Sequence, residues 1–474
     1  MLLLAINGLW GAALAASTAS PSDLLEQGIY SEETKGDVDA ALKLYQQVVT
    51  EAKAGQAIAA QAQYRLGVCY YKKKNYQEAN AAFEKLLRDY PDQKDLIALA
   101  NKYLAGAMPL MPAPWVDGEE MQLDIKFPAG FKIGSACYRV HAGETNGQKT
   151  WRLASRLYAI SQQSSRVEVE ADSFKPIHCQ WKINLIGEAD VSYSAGHAWL
   201  KMTGKDEARE IDLNGVVYDN EEVLQLIRRL PLAPDYKTTL RIFTGLGGGN
   251  IIALQATVAK EEKVEVPAGT FDCFKVELSV VRQAFWYSTD AHHYLVKFEG
   301  GGVIGVLAAV TQRKAGEPVQ YQDRAFGFSL AAPDNWMFCR LDAKDDKNRT
   351  KVVVLDPEGI TTSVVSVGSR TVLWPEAQKS LRAWADKEIT DGEGSKTLKE
   401  LTIRADSWKD RPVAGKPGLS VIGDYVEGEE KKIGYAVFTF GNTNAATFVL
   451  LAPAKGFEAF QPKFEAIVDS YKEK

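Results

Sequence analysis

Glycines, histidines, cysteines and paired carboxylates are the residues of this 474-residue chain whose types and spacing could do chemistry. Gly300-x-Gly302-x-x-Gly305 matches a dinucleotide-binding fingerprint, and Asp323 stands near the distance of a ribose-binding acid. That chemistry needs the glycines to open a helix whose N-terminus faces the pyrophosphate. The residues that follow, VLAAVTQR, alternate like a strand, so the glycines read as a turn. Gly247-Gly248-Gly249 has no Lys-Ser or Lys-Thr after it and reads as a hairpin connection rather than a phosphate loop. The histidines are His141, His178, His197, His292 and His293, with neither H-E-x-x-H nor H-x-H among them. The alternation of FWYSTDAHHYLVKFE predicts a strand with His292 and His293 on opposite faces, where they do not easily share a metal. Asp290 would lie on the His292 face. There is no G-x-S-x-G elbow, and Glu221-Glu222 and Asp345-Asp346 sit in charged stretches that read as solvated surface. The expectation is no catalytic residue, no cofactor and no metal.

Cys69, Cys137, Cys179, Cys273 and Cys339 are far apart, with no C-x-x-C among them. They read as small buried hydrophobes, or, in an oxidising compartment, as one bridge between two of Cys137, Cys179 and Cys273. Apolar residues make up 46% and charged residues 25%, and the formal net charge is −5. That balance suits several folded cores and argues against a general nucleic-acid binder, which needs clustered Lys and Arg. The opening MLLLAINGLWGAALAAS ends in the A-x-A-like Ala13-Leu14-Ala15 and reads as a signal peptide over residues 1–16. No Lys or Arg precedes it. No later run is apolar enough to predict a stable membrane span. The expectation is an exported, periplasmic or extracellular protein.

Three textures follow. Residues 17–107 have helical period and an internal repeat: GDVDAALKLYQQVV aligns position for position with KNYQEANAAFEKLL, and Gly67 stands 39 residues after Gly28. Residues 108–118 contain three prolines and read as a linker. Residues 119–313 carry alternating strands, MQLDIKF, SRVEVEA, AWLKM, IIALQATVA, FKVELSVV and YLVKF, with turn residues such as Asn214-Gly215 between them. One helix, NEEVLQLIRRL, is embedded, with Asn220 as candidate cap and Leu224, Ile227 and Leu230 on one face. With no βαβ alternation, a large antiparallel sheet is predicted. Residues 314–320 read as a second linker. Residues 321–474 mix strands with a helix from Trp374 to Ile389 and a last helix in PKFEAIVDSY.

Leu66-Gly67-x-x-Tyr70, Ala79-x-x-x-Phe83 and Pro91 fit the tetratricopeptide repeat, which this region resembles. Gly67 and Ala79 are small where two helices cross, Tyr70 and Phe83 fill the space beside them, and Pro91 ends the second helix. Gln63 stands where the family commonly has Trp, and the first copy has one extra residue between Gly28 and its Ala40-Ala41 pair. VPAGTFDCFKVEL, FWYSTDAHHYLVKFE and YDNEEVLQLIRRLPL resemble a bacterial family of uncharacterised domains with a curved, half-open β barrel. YQDRAFGFSLAAPDNWMF resembles the start of PsbP-like domains, which implies a small α+β sandwich at residues 321–474. The predicted fold is therefore multidomain: tetratricopeptide hairpins, a curved antiparallel half barrel, then the sandwich.

Two functions compete. The repeats imply a non-enzymatic scaffold binding a protein or peptide partner, with Gln63 and Lys74 as exposed groove candidates. The half barrel implies a carrier of an apolar ligand, with Phe285 and Tyr287, alternate residues of one strand, as a pocket wall.

Overall fold

The computed structural model describes residues 19–473 apart from 52–54, 74, 107–109, 185, 214–215, 280–282, 325, 341–349, 356–363, 372–379, 392–398, 428–429 and 442–443. The expected signal peptide, Lys74, the Asn214-Gly215 turn and the Trp374 end of the predicted helix lie outside the described residues. The chain divides into two compact units, residues 1–108 and 109–474.

The first unit is helical: α1 (Pro21–Ile29), α2 (Val38–Thr50), α3 (Gln56–Lys72), α4 (Tyr76–Asp89) and α5 (Lys94–Gly106). Ser20 and Asp23 form a capping box at α1 with Pro21 in the first turn, and Asp37 caps α2 by accepting from the Ala40 amide. The two repeats superimpose in chemistry. A Cβ on Gly28 would enter the Tyr45 ring, and one on Gly67 the Phe83 ring, so both glycines are needed for close helix approach. The extra residue of the first copy is absorbed by a π-helical turn, Tyr30–Thr34, at the end of α1. A π-bulge is how a helix accommodates one inserted residue without losing its axis.

The second unit is built on a 15-stranded sheet: β1 (Glu119–Lys126), β2 (Lys132–Thr145), β3 (Gln148–Tyr158), β4 (Gln162–Glu170), β5 (Pro176–Ile183), β6 (Gly187–Ser194), β7 (His197–Met202), β8 (Arg209–Asp212), β9 (Tyr218–Asp219), β10 (Lys237–Thr244), β11 (Asn250–Val266), β12 (Gly269–Leu278), β13 (Gln283–Ser288), β14 (Leu295–Gly300) and β15 (Val303–Gln312). It is an open meander in which β1 pairs with β15 and the two arms run outward to β8 and β9. Its pairs are antiparallel except β9–β10. Register shifts at Gln122/Leu123, Glu168/Val169, Val258/Lys260 and Trp286/Tyr287 bend the strands. The curvature brings the arms toward each other: the Tyr193 ring meets Phe243 edge-on at 5.7 Å, and a Cβ on Gly245 would meet Trp181.

Helix α6 (Val223–Arg228) fills the concave side, preceded by a 3-10 turn, with Val223, Leu226, Ile227 and Leu230 buried. Leu224, expected on the inner face, is only half-buried. The cap is Asp219, not Asn220: Asp219 accepts from the Glu221 amide and Glu222 reaches back to the Asp219 amide. The box starts one residue earlier because β9 delivers the chain with Asp219 already buried against Tyr193.

Two smaller sheets complete the unit. Strands β16 (Val319–Asp323), β17 (Phe328–Ala332) and β26 (Lys472–Glu473) pair in one. The first begins inside the stretch expected as a linker. The other contains β18 (Met337–Arg340), β19 (Thr350–Leu355), β20 (Val364–Thr371), β21 (Lys399–Ile403), β23 (Gly418–Glu427), β24 (Glu430–Phe440) and β25 (Asn444–Pro453), with β22 (Lys409–Asp410) on β23. Helix α7 is Leu381–Asp391, and α8 is Phe457–Asp469. Helix α8 starts five residues before the predicted Pro462, because Phe457, Phe460 and Phe464 share a buried face whose packing outweighs the amide that proline lacks. Strand β18 joins the outer face of β2: Cys137, Met337, Cys339, Val353 and Leu355 form one apolar cluster. Beside it the buried Glu120 is held by Arg139 and Arg313, and Arg139 also donates to the Trp336 carbonyl.

Candidate functional site

The helical array has a polar centre that the repeat pattern does not predict. The π-helical turn rotates Glu32 inward, where its side chain is 1% exposed. Glu32 accepts from the Tyr45 hydroxyl at 2.8 Å, from Arg65 at 3.2 Å and from Lys72 at 2.7 Å. Burial alone would raise its pKa. Hydrogen bonds from Lys72 and Tyr45 and the charges of Lys72 and Arg65 outweigh burial and hold it below the ordinary carboxylate value. This explains why the first copy has Tyr45 where the second has Phe83: only the first copy has an acid for the hydroxyl to meet.

On α3 and α5 the half-buried Tyr64, Tyr71 and Tyr103 form an aromatic face around Phe83. Tyr71 and Tyr103 lie 5.1 Å apart centre to centre, Tyr64 and Tyr103 6.2 Å. Burial, then contact with Tyr103, pushes the Tyr64 hydroxyl up to about 12. Lys72 stands exposed at the end of the same helix. Of the repeat residues Leu66, Gly67, Ala79 and Phe83 are buried, Tyr70 packs against both cores, and Pro91 follows the end of α4 at Tyr90. Gln63, expected as an exposed groove residue, is 3% exposed and donates to the Ala82 carbonyl at 2.9 Å. It fills the inter-helix site usual for Trp, so it faces the helix partner rather than solvent. The spacing of Tyr64 and Tyr71, two helical turns apart, was the signal that could have found this half-buried face.

In the large sheet Phe285 and Tyr287 are both buried and Tyr287 donates to the Leu224 carbonyl. Trp286 points the other way, donates to Glu262 at 2.7 Å and has the Lys297 ammonium 4.4 Å from its ring centre. His292 and His293 are not on a strand. They lie in the turn between β13 and β14, with φ +45° at His293. The turn forms because Asp290 accepts from the His292 amide and from Ser288, an Asx-type device that alternation cannot report. Their carbonyls accept from Arg228, which also donates to Glu119 at 2.7 Å and stacks on Trp115. Arg229 donates to the carbonyls of Met111, Ala171 and Asp172. The two arginines of IRRLPL are thus clamps that fasten α6 to the entering segment and two turns. Sequence reasoning missed them because a surface reading is the default for Arg.

All five cysteines are buried free thiols. Gly301 and Gly302, both at positive φ, form the β14–β15 turn. The β10–β11 connection contains the three consecutive glycines. Among the described residues no group of three or more His, Cys, Asp or Glu is placed to hold a metal. On the concave side of the sheet Asp219 and Glu222 are buried, with no cation paired to either among the described residues; Glu222, expected as solvated surface, is thus a buried acid. Burial, then the charge of Glu221, pushes Asp219 up to about 6 against the hydrogen bond from Tyr193, and burial, then Asp219, raises Glu222 well above its usual value. Strands β2–β5 carry a hollow of about 380 Å3 lined by Glu144, Thr145, Arg152, Arg166, Glu168 and His178.

Comparison with known proteins places these parts. Residues 29–94 match the tetratricopeptide repeat model, and residues 121–308 match the family described as protein of unknown function (DUF3108). No curated protein matches the chain. Among solved structures, cyanobacterial PsbP from Synechocystis sp. PCC 6803 is 13% identical over 34% of this chain and 95% of that one, with a TM-score of 0.28. A β-barrel-like protein of the DUF1849 family from Brucella abortus is 13% identical over 44% and 100%, with a TM-score of 0.29. LpqN, involved in cell envelope biogenesis of Mycobacterium tuberculosis, is 15% identical over 33% and 88%, with a TM-score of 0.24. Likenesses of this size carry no argument about activity or partner. The chain thus carries a tetratricopeptide repeat segment at residues 29–94 and a DUF3108 segment at residues 121–308.

Proposed function

We propose that this chain is an exported, non-enzymatic scaffold of the bacterial cell envelope that holds a protein segment on the α3–α5 face of its helical array. The carrying observation is the face of half-buried tyrosines Tyr64, Tyr71 and Tyr103 on α3 and α5, the first two within the tetratricopeptide segment. Tyrosines give large rigid contact area at low entropic cost and keep a polar tip for hydrogen bonding, which is why interfaces are rich in them. Export rests on the apolar opening run and its A-x-A-like end. A carrier of an apolar ligand would need a free concave face, and α6 packs on the large sheet with Val223, Leu226 and Ile227 buried and its Leu224 carbonyl bonded to Tyr287.

The test is photo-crosslinking from position 71 in the full chain, in native envelope extract. A discrete adduct is expected. Tyr103→Ser, read from a reporter at position 64, should reduce it about tenfold with the helical melting curve retained. Equal capture by the variant would remove the tyrosine face from the reading.

A further inference from the structure

Isolated exposed apolar side chains are ordinary on a protein surface. Their placement on the large sheet is not. Among the described residues of this sheet, the large apolar side chains that stand exposed are Phe127, Phe131, Ile160, Ile186 and Leu246. Phe127 and Phe131 are in the β1–β2 connection, Ile160 in β3–β4, Ile186 in β5–β6 and Leu246 in β10–β11. Strand pairing from β1 through β15 to β10 is antiparallel throughout, so all four connections lie at the same end of the sheet. The opposite end turns on Asn146-Gly147, Ala195-Gly196 and Pro267-Ala268, the small and polar residues that turns favour, and its Phe174 is buried.

The apolar tips are held in place. The Phe127 amide donates to the Phe131 carbonyl at 2.9 Å and Gly130 closes back on Phe127 at 2.8 Å. Ile186 donates to Ile183, and Gly248 to Gly245. Ordering these side chains on a ligand therefore costs little beyond their own rotamers. Exposure of Phe131 reaches 69% and of Ile160 73%, values that folding gains nothing from. Successive hairpins along the sheet are about 10 Å apart, two strand spacings, so the tips are separate points and not one contiguous patch.

We infer that this rim is a docking surface for a lipid bilayer, into whose interfacial layer the hairpin tips insert. A protein partner needs a contiguous apolar core to its interface. The headgroup–acyl boundary accepts separate apolar side chains, each burying its own area. Lys126, Lys182, Lys201 and Lys205 stand near the tips and suit anionic headgroups, with Glu188 opposing Lys182 beside Ile186 and Asp206 and Glu207 opposing the others in one turn. The surface is distinct from the helical array. Two other exposed apolar residues of this unit, Met111 and Val116, precede β1 and sit away from the rim.

The experiment is flotation of the full chain with phosphatidylcholine vesicles containing one quarter phosphatidylglycerol. The protein should float with the vesicles. The double variant Phe131→Asp with Ile160→Asp should lower the bound fraction about tenfold or more, while Val116→Asp leaves it unchanged. A Phe131→Trp variant guards against misfolding, since its emission, taken as the difference from the parent with its ten tryptophans, should shift to shorter wavelength on adding vesicles. A protein that stays with the aqueous fraction overturns the inference, as does flotation unaffected by the double variant or a Phe131→Trp emission that does not move. Retention of the rim by an envelope protein without vesicle binding would assign it to a protein partner and overturn it equally.

Discussion

Glu32 in the helical array and the pair Asp219 and Glu222 in the large sheet are all carboxyls cut off from water, and the two regions treat them oppositely. Glu32 has Lys72, Arg65 and the Tyr45 hydroxyl within hydrogen-bond reach, and its pKa falls. Asp219 and Glu222 have backbone amides, Tyr193 and each other, and their pKa values rise. Burial is common to both, so burial does not decide the charge state: the presence of a cation does. The array uses its acid to tie one helical hairpin to the next. The sheet uses its acids to start a helix on its concave side, where their job is to accept from amides.

The largest break in this contrast is Glu32→Ala. It leaves the fully buried Tyr45 hydroxyl without an acceptor and takes the carboxylate from Lys72, which is partly exposed, and from Arg65, which keeps its pair with Glu33. A loss of about 2–3 kcal/mol is expected, below the range for a wholly buried pair. Urea melting of the full chain separates the units, because Trp115 and the tryptophans after it lie in the second unit while ellipticity at the helical minimum reports chiefly the array. Only the helical transition should move.

Phe83→Tyr sharpens the contrast between the repeats. It places a hydroxyl in the second hairpin where no Glu32 equivalent meets it, since α3 of that copy runs as an unbroken α-helix. A cost of about 1–3 kcal/mol is expected on the same helical transition. A variant as stable as the parent would show that the Tyr45–Glu32 pair is not what distinguishes the copies.

The smallest effect is in pH. The folded pKa of Asp219 is raised to about 6, so the folded state binds its proton more tightly than the unfolded chain. Its contribution is fully present below the unfolded value and is lost as pH rises through about 6, so stability of the second unit should increase by about 1 kcal/mol between pH 7 and pH 5. Glu222, raised as well, adds with the same sign. Glu32, lowered, contributes stability present above the unfolded carboxylate value and lost as pH falls below it, so the helical transition should hold between pH 7 and pH 5 and weaken only under more acid conditions. Tryptophan-monitored stability that declines from pH 7 to pH 5 would contradict the assignment of the sheet acids.

Much of the fold was legible because it is periodic. The Gly67, Ala79 and Phe83 spacing reports a helix crossing directly, and the alternation of SRVEVEA reports a half-buried strand. The single-residue excess in the first repeat was legible too, but not that a π-helical turn would absorb it and drive Glu32 inward. Gln63 was misplaced because a polar side chain reads as exposed unless a buried acceptor, here the Ala82 carbonyl, is known. His292 and His293 were misplaced because an Asx turn at Asp290 interrupts the alternation with residues that alternate equally well.

The sequence by itself determined the order of the three textures, the repeat and the segments that pair as hairpins, because these depend on contacts a few residues to a few tens of residues apart. Tertiary structure alone decided the rest. Arg228 became a clamp only when the fold brought Glu119 and the His292 carbonyl to it, 109 and 64 residues away. The apolar tips became one rim only through the strand order, since Phe131 and Leu246 have nothing in common along the chain. A residue's neighbours across a sheet are set by which strands pair, and the energy that selects the pairing is summed over the whole sheet rather than written at any one position.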